Sequence, residues 1–272
     1  MIQYPHCKIN LGLSIVAKRA DGFHELETVF YPVALKDILE ITPAKTNDAT
    51  SFSNSGLAIP GDSINNLCLK AYHLLKADFP SLPEIQMHLH KIIPMGAGLG
   101  GGSSDGTSAL KILNTLFEIG LSQEQLIIYA EKLGSDCPYF LFDTPCHATG
   151  KGELLSPIEC NLSNYSIVLL HPGIHIATPW AFQQITPYKK DKLISTIIQQ
   201  PISTWKQELI NDFEAPVIHA HPIIGALKND LYQQGAVYAS MSGSGSSLYG
   251  IFEKNKKYQK SDLSNNVRID TV

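Results

Sequence analysis

The sequence predicts an α+β protein with two lobes. Residues 7–16, 27–35 and 37–41 are rich in strand-forming side chains and alternate loosely between apolar and polar types. Residues 66–77 and 124–133 instead carry apolar side chains at offsets of three and four, which is the spacing of an amphipathic helix. The first half of the chain therefore mixes strands and helices.

The three strand patterns of the first half are expected to lie in one sheet. A further strand is predicted over residues 85–93, directly before a glycine-rich segment. The helix over 124–133 is expected to end at Gly134, since glycine commonly follows the last helical turn.

A crossing between lobes is predicted where residues 142–164 turn to Pro, Gly, Asn and Ser. We therefore expect an N-terminal domain over residues 1–155 and a C-terminal domain over 156–272. The second half predicts strands over 166–170, 236–240 and 248–252 and helices over 193–199, 204–210 and 217–233. The serine-glycine loop, residues 241–247, is either an ordinary hairpin turn or a wall of a ligand site.

The glycine loop, from Pro94 to Asp105, is the most informative motif in the chain. Its five glycines let backbone N–H groups converge on an anion, and it runs into an apolar helical pattern whose N-terminus adds positive charge. A flexible linker is the alternative, but linkers are solvated and both flanks here are apolar. Neither a Walker A ending nor a dinucleotide fingerprint fits. The predicted nucleotide-binding residues are Pro94, Met95, Gly96, Ala97, Gly98, Leu99, Gly100, Gly101, Gly102, Ser103 and Ser104.

Two details of the glycine loop are specific enough to be checked against a structure. A branched side chain at Gly101 is expected to fill the space where N–H groups approach phosphate. Ser103 and Ser104 are expected at the helix entrance, where a hydroxyl can act as the N-cap.

Composition limits the classes of partner. The net charge of −4 gives no electrostatic footprint for nucleic acid, so we expect a small-molecule partner. Five cysteines without CxxC spacing argue against a disulfide framework and a zinc knuckle. We find no signal pattern and no apolar run near the ~20 residues of a membrane span. We therefore expect a cytoplasmic protein without a membrane partner, as a monomer or weak homodimer.

Three separated segments together resemble the motifs of the GHMP kinase superfamily: Lys8-Ile9-Asn10-Leu11, the glycine loop, and the serine-glycine loop. The resemblance covers nearly the whole chain. It implies an N-terminal lobe like ribosomal protein S5 domain 2, a ferredoxin-like C-terminal lobe and an active site between them. It also implies ATP as co-substrate, Mg²⁺, and phosphorylation of an alcohol.

Within the superfamily, residues 19–26 and 134–138 resemble members that act on a cytidine diphosphate-linked sugar alcohol in the non-mevalonate isoprenoid route. The alternatives are a mevalonate or homoserine kinase, which would not need aromatic rings around a base, and a non-catalytic nucleotide sensor on the same fold. A sensor would be expected to lose Lys8 or Asp136, and this chain keeps both.

The resemblance assigns Asp136 as the catalytic base and Lys8 as its partner. An ammonium near a carboxylate keeps the carboxylate ionised and also faces transferred phosphate oxygens. Taken singly, the residues favour Asp136 as a helix cap before Pro138 and Lys8 as a surface lysine on a strand. Only their joint match with the glycine loop favours the catalytic roles. Ser104 resembles a magnesium-binding hydroxyl, with capping as the alternative.

The substrate residues implied by the resemblance are Asn10, Phe23, His24 and Phe182. Asn10 shares a strand face with Lys8, whereas the other three are expected to hold the cytosine ring by stacking and edge hydrogen bonds. The family more often has Tyr at the position of Phe23, so one hydroxyl is absent here while the stacking face is kept.

Three further segments resemble family positions without entering the predicted site. Lys91 and Asn66 resemble positions beside the nucleotide, although a lone Lys or Asn is usually solvated. Asn211-Asp212-Phe213-Glu214 is interpreted as structural, placing a helix start behind the site.

Overall fold

The computed structural model of the chain describes residues 1–59, 65–265 and 267–272. Within them the chain divides into two compact units. Unit 1 comprises Met1–Cys7, Ala34–Met95 and Gly100–Asp143, and unit 2 comprises Lys8–Val33, Gly96–Leu99 and Thr144–Val272. Neither unit is one continuous stretch of chain, so the division does not correspond to a single boundary. The domain boundary predicted near residue 155 stays a prediction.

In chain order the elements are β1 (Ile2–Gln3), β2 (His6–Lys18), β3 (His24–Lys36), β4 (Ile38–Pro43), β5 (Ser51–Gly56), α1 (Leu67–Asp78), β6 (Ile85–Lys91), α2 (Gly101–Leu116), α3 (Gln123–Leu133), a 3-10 helix (Cys137–Leu141), β7 (Cys146–Thr149), β8 (Leu154–Pro157), β9 (Tyr165–His171), α4 (Thr178–Gln183), α5 (Ile194–Ile197), a 3-10 helix (Ile202–Thr204), α6 (Trp205–Glu208), α7 (Glu214–Ala220), α8 (Pro222–Gln233), β10 (Tyr238–Met241), β11 (Leu248–Glu253), a 3-10 helix (Asp262–Ser264) and β12 (Arg268–Thr271).

Unit 1 is built on a sheet in the order β1-β4-β6-β5, in which β5 and β6 pair in parallel. Alternate β6 residues point to opposite faces, so Met87 and Leu89 are buried while His88 and His90 are partly exposed. The buried face shares one apolar core with α1, α2 and α3. This core holds α2, the helix into which the glycine loop runs.

Two more four-stranded sheets have the orders β2-β3-β7-β8 and β10-β11-β9-β12. In the second, all neighbours are antiparallel, and β10 and β11 form a hairpin in which Met241 pairs with Leu248. Apolar residues of α7 and α8, among them Val217 and Leu227, pack in the same core as Val168 of β9. The predicted strands 236–240 and 248–252 are thus confirmed, with the serine-glycine loop between them.

The prediction that residues 37–41 share a sheet with 7–16 and 27–35 is wrong. β2 and β3 are neighbours in one sheet, but β4 pairs with β1 and β6 in another. The cause is Asp37, whose buried side chain separates β3 from β4 and accepts hydrogen bonds from the N–H groups of Ile92 and Ile93. These contacts hold the start of β4 beside the end of β6.

The helices over 66–77 and 124–133 are confirmed as α1 and α3, with Gly134 following α3 as predicted. The single helix over 217–233 is wrong, because α7 ends before His221 and α8 begins at Pro222. Proline disfavours helical backbone at the residue before it, and His221 has φ −134° and ψ 78°. Among the described residues, no helix is both long and apolar enough to cross a membrane.

Candidate active site

The glycine loop has left-handed backbone at every second residue. Gly96, Gly98 and Gly100 have φ of 62°, 77° and 69°. Gly100 is also the N-cap of α2, and no side chain caps this helix start. The predicted capping by Ser103 and Ser104 is therefore wrong, because both lie inside the first turn. An uncapped helix start leaves first-turn N–H groups for an anion.

The loop glycines face different surroundings. A Cβ on Gly101 would lie 2.8 Å from Ile93 Cγ2 and 3.1 Å from Lys91 Nζ, whereas a Cβ on Gly102 would meet nothing within 4 Å. The expectation that a side chain at Gly101 projects into ligand space is wrong, since this glycine packs against the protein. Gly102 faces the open space at the start of α2.

Within unit 2, the serine-glycine loop contacts residues 96–99 of the glycine loop. Ser242 Oγ donates to the Gly98 carbonyl at 2.7 Å, and Ser247 N–H donates to the Ala97 carbonyl at 3.2 Å. Lys8 N–H donates to the Leu99 carbonyl at 2.9 Å. The hairpin interpretation is confirmed, and the loop also packs on the predicted phosphate-binding segment. Its role as a wall of a ligand site stays a prediction.

Asn211 and Glu214, which were predicted to have a structural role, are buried and hold the serine-glycine loop directly. Asn211 Nδ2 donates to the carbonyls of Met241 and Gly243, both at 2.8 Å. Glu214 Oε1 accepts from Met241 N–H at 2.7 Å. The predicted helix start is confirmed, because α7 begins at Glu214. These contacts span about 30 residues, so no local pattern revealed them.

Lys8 and Asn10 lie on one face of β2, as their spacing predicted. Lys8 is only 4% exposed, so it is not a surface lysine; Nζ donates to Asn10 Oδ1 at 2.7 Å and lies 4.5 Å from the centre of the Phe30 ring. Asn10 Nδ2 donates in turn to Thr28 Oγ1 at 3.0 Å. The contacts with Asn10 and Phe30 therefore set the orientation of the Lys8 ammonium. The role of Asn10 in binding substrate stays a prediction.

Asp136 follows α3 and occupies the N-cap position of the 3-10 helix Cys137–Leu141, as the capping interpretation predicts, but its side chain makes no cap hydrogen bond. Burial raises the pKa of the Cys137 thiol to about 12, a hydrogen bond with Ser103 opposes the rise, and the Asp136 charge adds to it. Thr107 Oγ1 also donates to the Cys137 carbonyl at 2.8 Å. Within unit 1, the predicted base therefore lies beside the first turns of α2.

The three predicted base-binding rings all belong to unit 2. The His24 and Phe182 rings stack with centroids 4.7 Å apart, and Phe182 meets Phe213 edge to face at 4.9 Å. Phe23 is 57% exposed, and Lys151 Nζ lies 4.8 Å from its ring centre. The structure brings His24 and Phe182 together, whereas a sandwich of cytosine between Phe23 and Phe182 stays a prediction.

The expectation that Lys91 and Asn66 are solvated side chains is wrong. Lys91 is 1% exposed and forms ion pairs with Asp37 and Asp105. Burial raises the pKa of Asp105, while for Lys91 the two carboxylates outweigh burial and raise the pKa. Asn66 is the N-cap of α1, because its Oδ1 accepts from Cys68 N–H at 2.8 Å.

A magnesium ion would find few protein ligands here. Among residues 1–59, 65–265 and 267–272, no group of three or more His, Cys, Asp or Glu is placed to hold a metal ion. Ser104 lies in the first turn of α2 and is only 1% exposed. In nucleotide sites Mg²⁺ keeps several waters and binds through one or two protein groups plus substrate phosphates. The role of Ser104 in holding Mg²⁺ therefore stays a prediction.

Protein-family models match two parts of the chain. The model for the GHMP kinases N terminal domain matches residues 66–144, and the model for the GHMP kinases C terminal domain matches residues 200–264. The chain belongs to the GHMP kinase family.

Relatives of this GHMP kinase match over nearly its full length. It is 50% identical over 268 residues to "4-diphosphocytidyl-2-C-methyl-D-erythritol kinase" of Bacteroides thetaiotaomicron, covering 98% of this chain and 97% of the relative. A relative of the same name from Cytophaga hutchinsonii is 48% identical over 266 residues, 97% of each chain. A crystal structure of 4-(cytidine 5'-diphospho)-2C-methyl-D-erythritol kinase matches with TM-score 0.79 and 30% identity, covering 92% of this chain and 90% of that chain.

The matched ranges divide the site residues of this GHMP kinase. The glycine loop and Asp136 lie within residues 66–144, and the serine-glycine loop lies within 200–264. Lys8 and Phe23 precede both ranges, so the family models carry no information about them. The predicted two-lobed α+β kinase fold is confirmed by these matches.

Proposed function

We propose that this GHMP kinase transfers the γ-phosphoryl group of ATP to the 2-hydroxyl of 4-diphosphocytidyl-2-C-methyl-D-erythritol, a step in the non-mevalonate route to isoprenoid precursors. The observation that carries the proposal is the near full-length similarity, at 50% identity, to kinases of that name. The reaction needs cradled phosphates, a proton acceptor, cations that offset charge, and a surface for the base.

The glycine loop and the start of α2 are assigned to the phosphates of ATP. Gly100 has left-handed backbone, α2 has no side-chain cap, and Gly102 faces open space. Backbone N–H groups at an uncapped helix start bind phosphate oxygens through hydrogen bonds and the helix dipole. Ser242 and Ser247 support this assignment by fixing residues 97 and 98 of the loop.

Asp136 and Lys8 are assigned to the transfer itself. The substrate hydroxyl oxygen bonds to the γ-phosphorus as the bond from that phosphorus to the bridging oxygen of ADP breaks, and the hydroxyl proton passes to the Asp136 carboxylate. Lys8, oriented by Asn10, offsets charge on the transferred oxygens. Ser104 is the residue proposed to hold Mg²⁺, which when bound neutralises phosphate charge.

The cytidyl part of the substrate is assigned to the aromatic residues of unit 2. The stacked pair His24 and Phe182 presents a preformed ring surface, and the exposed Phe23 ring offers a second one. An aromatic face binds a pyrimidine by stacking, while an imidazole nitrogen hydrogen-bonds its edge. Asn10 is proposed to bind the methylerythritol part through its amide.

A substrate panel tests the function. Initial rates of ADP release are measured with ATP and Mg²⁺ and with the cytidyl substrate, mevalonate or homoserine varied in turn. The proposal expects kcat/KM for the cytidyl substrate to exceed the other two by at least about 10³-fold, because a binding surface built for a base is left unused by the smaller alcohols. Preference for mevalonate or homoserine would contradict the substrate, and nucleotide binding without turnover would indicate a sensor.

A further inference from the structure

The Lys91 ammonium is enclosed by two carboxylates in the interior of unit 1. Nζ lies 2.5 Å from Asp37 Oδ2 and 2.6 Å from Asp105 Oδ2. The three side chains are 1%, 0% and 4% exposed, in the order Lys91, Asp37, Asp105. Water is not available to replace any of these partners, so each contact has a fixed direction.

The two carboxylates belong to the entrance and the exit of the glycine loop. Asp37 Oδ1 accepts from the N–H groups of Ile92 and Ile93, at 2.5 and 2.8 Å, and these residues lead into the loop. Asp105 lies in the second turn of α2, where the loop ends. One ammonium therefore links both ends of the loop through Asp37 and Asp105.

Gly101 is packed against the same group. A Cβ at this position would lie 3.1 Å from Lys91 Nζ and 2.8 Å from Ile93 Cγ2. A side chain at the first residue of α2 would therefore overlap Ile93 and lie tightly against the ammonium. The start of the helix, the loop entrance and the ion triad form one tightly packed unit.

We propose that Lys91 is a positioning residue for ATP, acting with Asp37 and Asp105 to fix the entrance and exit of the glycine loop so that its N–H groups are held where phosphate oxygens bind. The inference rests on the proposed use of ATP. Because Lys91 is 1% exposed, it acts through the loop and does not touch the nucleotide. Asp37 is consequently as important for ATP binding as Lys91 itself.

Three variants of the carboxylates test the proposal. The Asp37 carboxylate uses one oxygen for the Lys91 ammonium and the other for the N–H groups of Ile92 and Ile93. Asp37→Asn keeps a single oxygen, so it loses one of these two sets of hydrogen bonds. Asp105→Leu removes the second partner and keeps the branching of the side chain, with the same number of heavy atoms. Asp105→Asn is the conservative variant, since Asp105 Oδ1 has no hydrogen-bond partner among the described residues and Oδ2 can still face Lys91.

ATP binding with Mg²⁺ is measured by calorimetry on folded protein, and KM is measured for both substrates. Asp37→Asn and Asp105→Leu are expected to raise Kd for ATP at least about tenfold, because misplacing bound groups by about 1 Å has costs of this order. In these two variants, KM for the cytidyl substrate should stay within about twofold of the wild-type value. Asp105→Asn should keep both Kd for ATP and KM for the cytidyl substrate near wild type. If one disruptive variant fails to fold, the other decides the test.

Lys111→Met is the matched control, since this lysine also lies on α2 and pairs with a carboxylate, but on the partly exposed side chain of Asp143. It should leave Kd for ATP unchanged. Wild-type ATP binding in folded Asp37→Asn or Asp105→Leu would overturn the proposal, as would equal weakening of both substrates. Wild-type protein that binds ATP without phosphorylating the cytidyl substrate would instead contradict the proposed function and leave this comparison of ATP binding valid.

Discussion

The His24 ring stacks on the Phe182 ring, with centroids 4.7 Å apart and planes inclined by 19°. The rings are already at stacking distance, so there is no space for a base between them. Phe182 is also held edge to face by Phe213, which is 2% exposed. Phe182 thus packs against the core of unit 2, whereas Phe23 is exposed.

Removing either aromatic ring assigned to the base is expected to weaken binding of the cytidyl substrate and not of ATP. Phe182→Ala and Phe23→Ala should each raise KM for the cytidyl substrate by about fivefold, since an aromatic stacking contact contributes about 1 kcal/mol. KM for ATP should stay nearly unchanged. Steady-state kinetics with each substrate varied separately provides the measurement. If both rings contact one base, the free-energy change obtained from KM in the double variant should be smaller than the sum of the two single changes.

Tyr188→Ala is the control for the exposed ring. Tyr188 is 59% exposed and has Lys190 Nζ 5.7 Å from its ring centre, so it matches Phe23 in exposure and in carrying a lysine. This variant should leave both KM values unchanged. Phe23→Tyr should be neutral or slightly better. Wild-type KM for the cytidyl compound in both alanine variants would show that these rings do not bind substrate.

Adjacent glycines of the loop are expected to respond in opposite ways. Gly102→Ala places a methyl group in open space and improves helix propensity, so the Tm should be kept or slightly raised while Kd for ATP increases. Gly101→Ala meets Ile93 instead, so its Tm should fall. Calorimetry with ATP and thermal unfolding separate the two. Unchanged ATP affinity in Gly102→Ala would show that phosphate does not occupy this space.

Asp136→Asn is expected to fold normally and lose turnover by about 10² to 10⁴-fold, because an amide cannot accept the hydroxyl proton. Asparagine has nearly the same size and shape as aspartate, so Tm should change by less than about 2 °C. Single-turnover rates at saturating substrates provide the measurement. A kcat near wild type would remove Asp136 as the base.

Asp143 gives a prediction for the pH dependence of stability. A hydrogen bond with His6, together with Lys111, lowers the pKa of Asp143 to about 2 from its ordinary 3.8. A lowered carboxyl pKa stabilises the fold above the ordinary value, and this stabilisation is lost as pH falls through the lowered one. Asp143→Asn should therefore reduce Tm by about 1–3 °C near neutral pH, with the difference shrinking between about pH 4 and about pH 2.

Asparagine suits this test because Asp143 has left-handed backbone, with φ of 54°, which Asn tolerates. The side chain is 53% exposed, which keeps the expected effect small. Calorimetric scans of both proteins across this pH range provide the comparison. A Tm difference that stays constant down to about pH 2 would show that the Asp143 charge is not its cause.

The parts of the fold that the sequence predicted are those set by local patterns. The strand that becomes β6, the turn-forming glycines after it and the apolar face of α2 lie within about 30 consecutive residues. Gly134 likewise marks the end of α3 through a local backbone preference. The resemblance of short motifs located the glycine loop and the serine-glycine loop, and the structure joins residues 97–98 to Ser242 and Ser247.

Long-range partners could not be predicted in the same way. Asp37 and Lys91 are 54 residues apart, and nothing near Lys91 in the sequence distinguishes a buried lysine from a solvated one. Hydrogen bonds from the N–H groups of Ile92 and Ile93 to Asp37 likewise hold β4 beside β6, in a different sheet from β3. The contact of Asn211 with the serine-glycine loop also depends on tertiary packing. Such side chains are specified by what surrounds them, which a single sequence does not reveal.

The most direct test of the account is identification of the reaction product. The protein is incubated with ATP, Mg²⁺ and 4-diphosphocytidyl-2-C-methyl-D-erythritol, and the mixture is analysed by mass spectrometry and phosphorus NMR. The account predicts one ADP for each product molecule, which carries a new phosphate monoester on the 2-hydroxyl and an intact diphosphate. Formation of ADP with the cytidyl substrate unchanged, or a phosphate at another position, would contradict it.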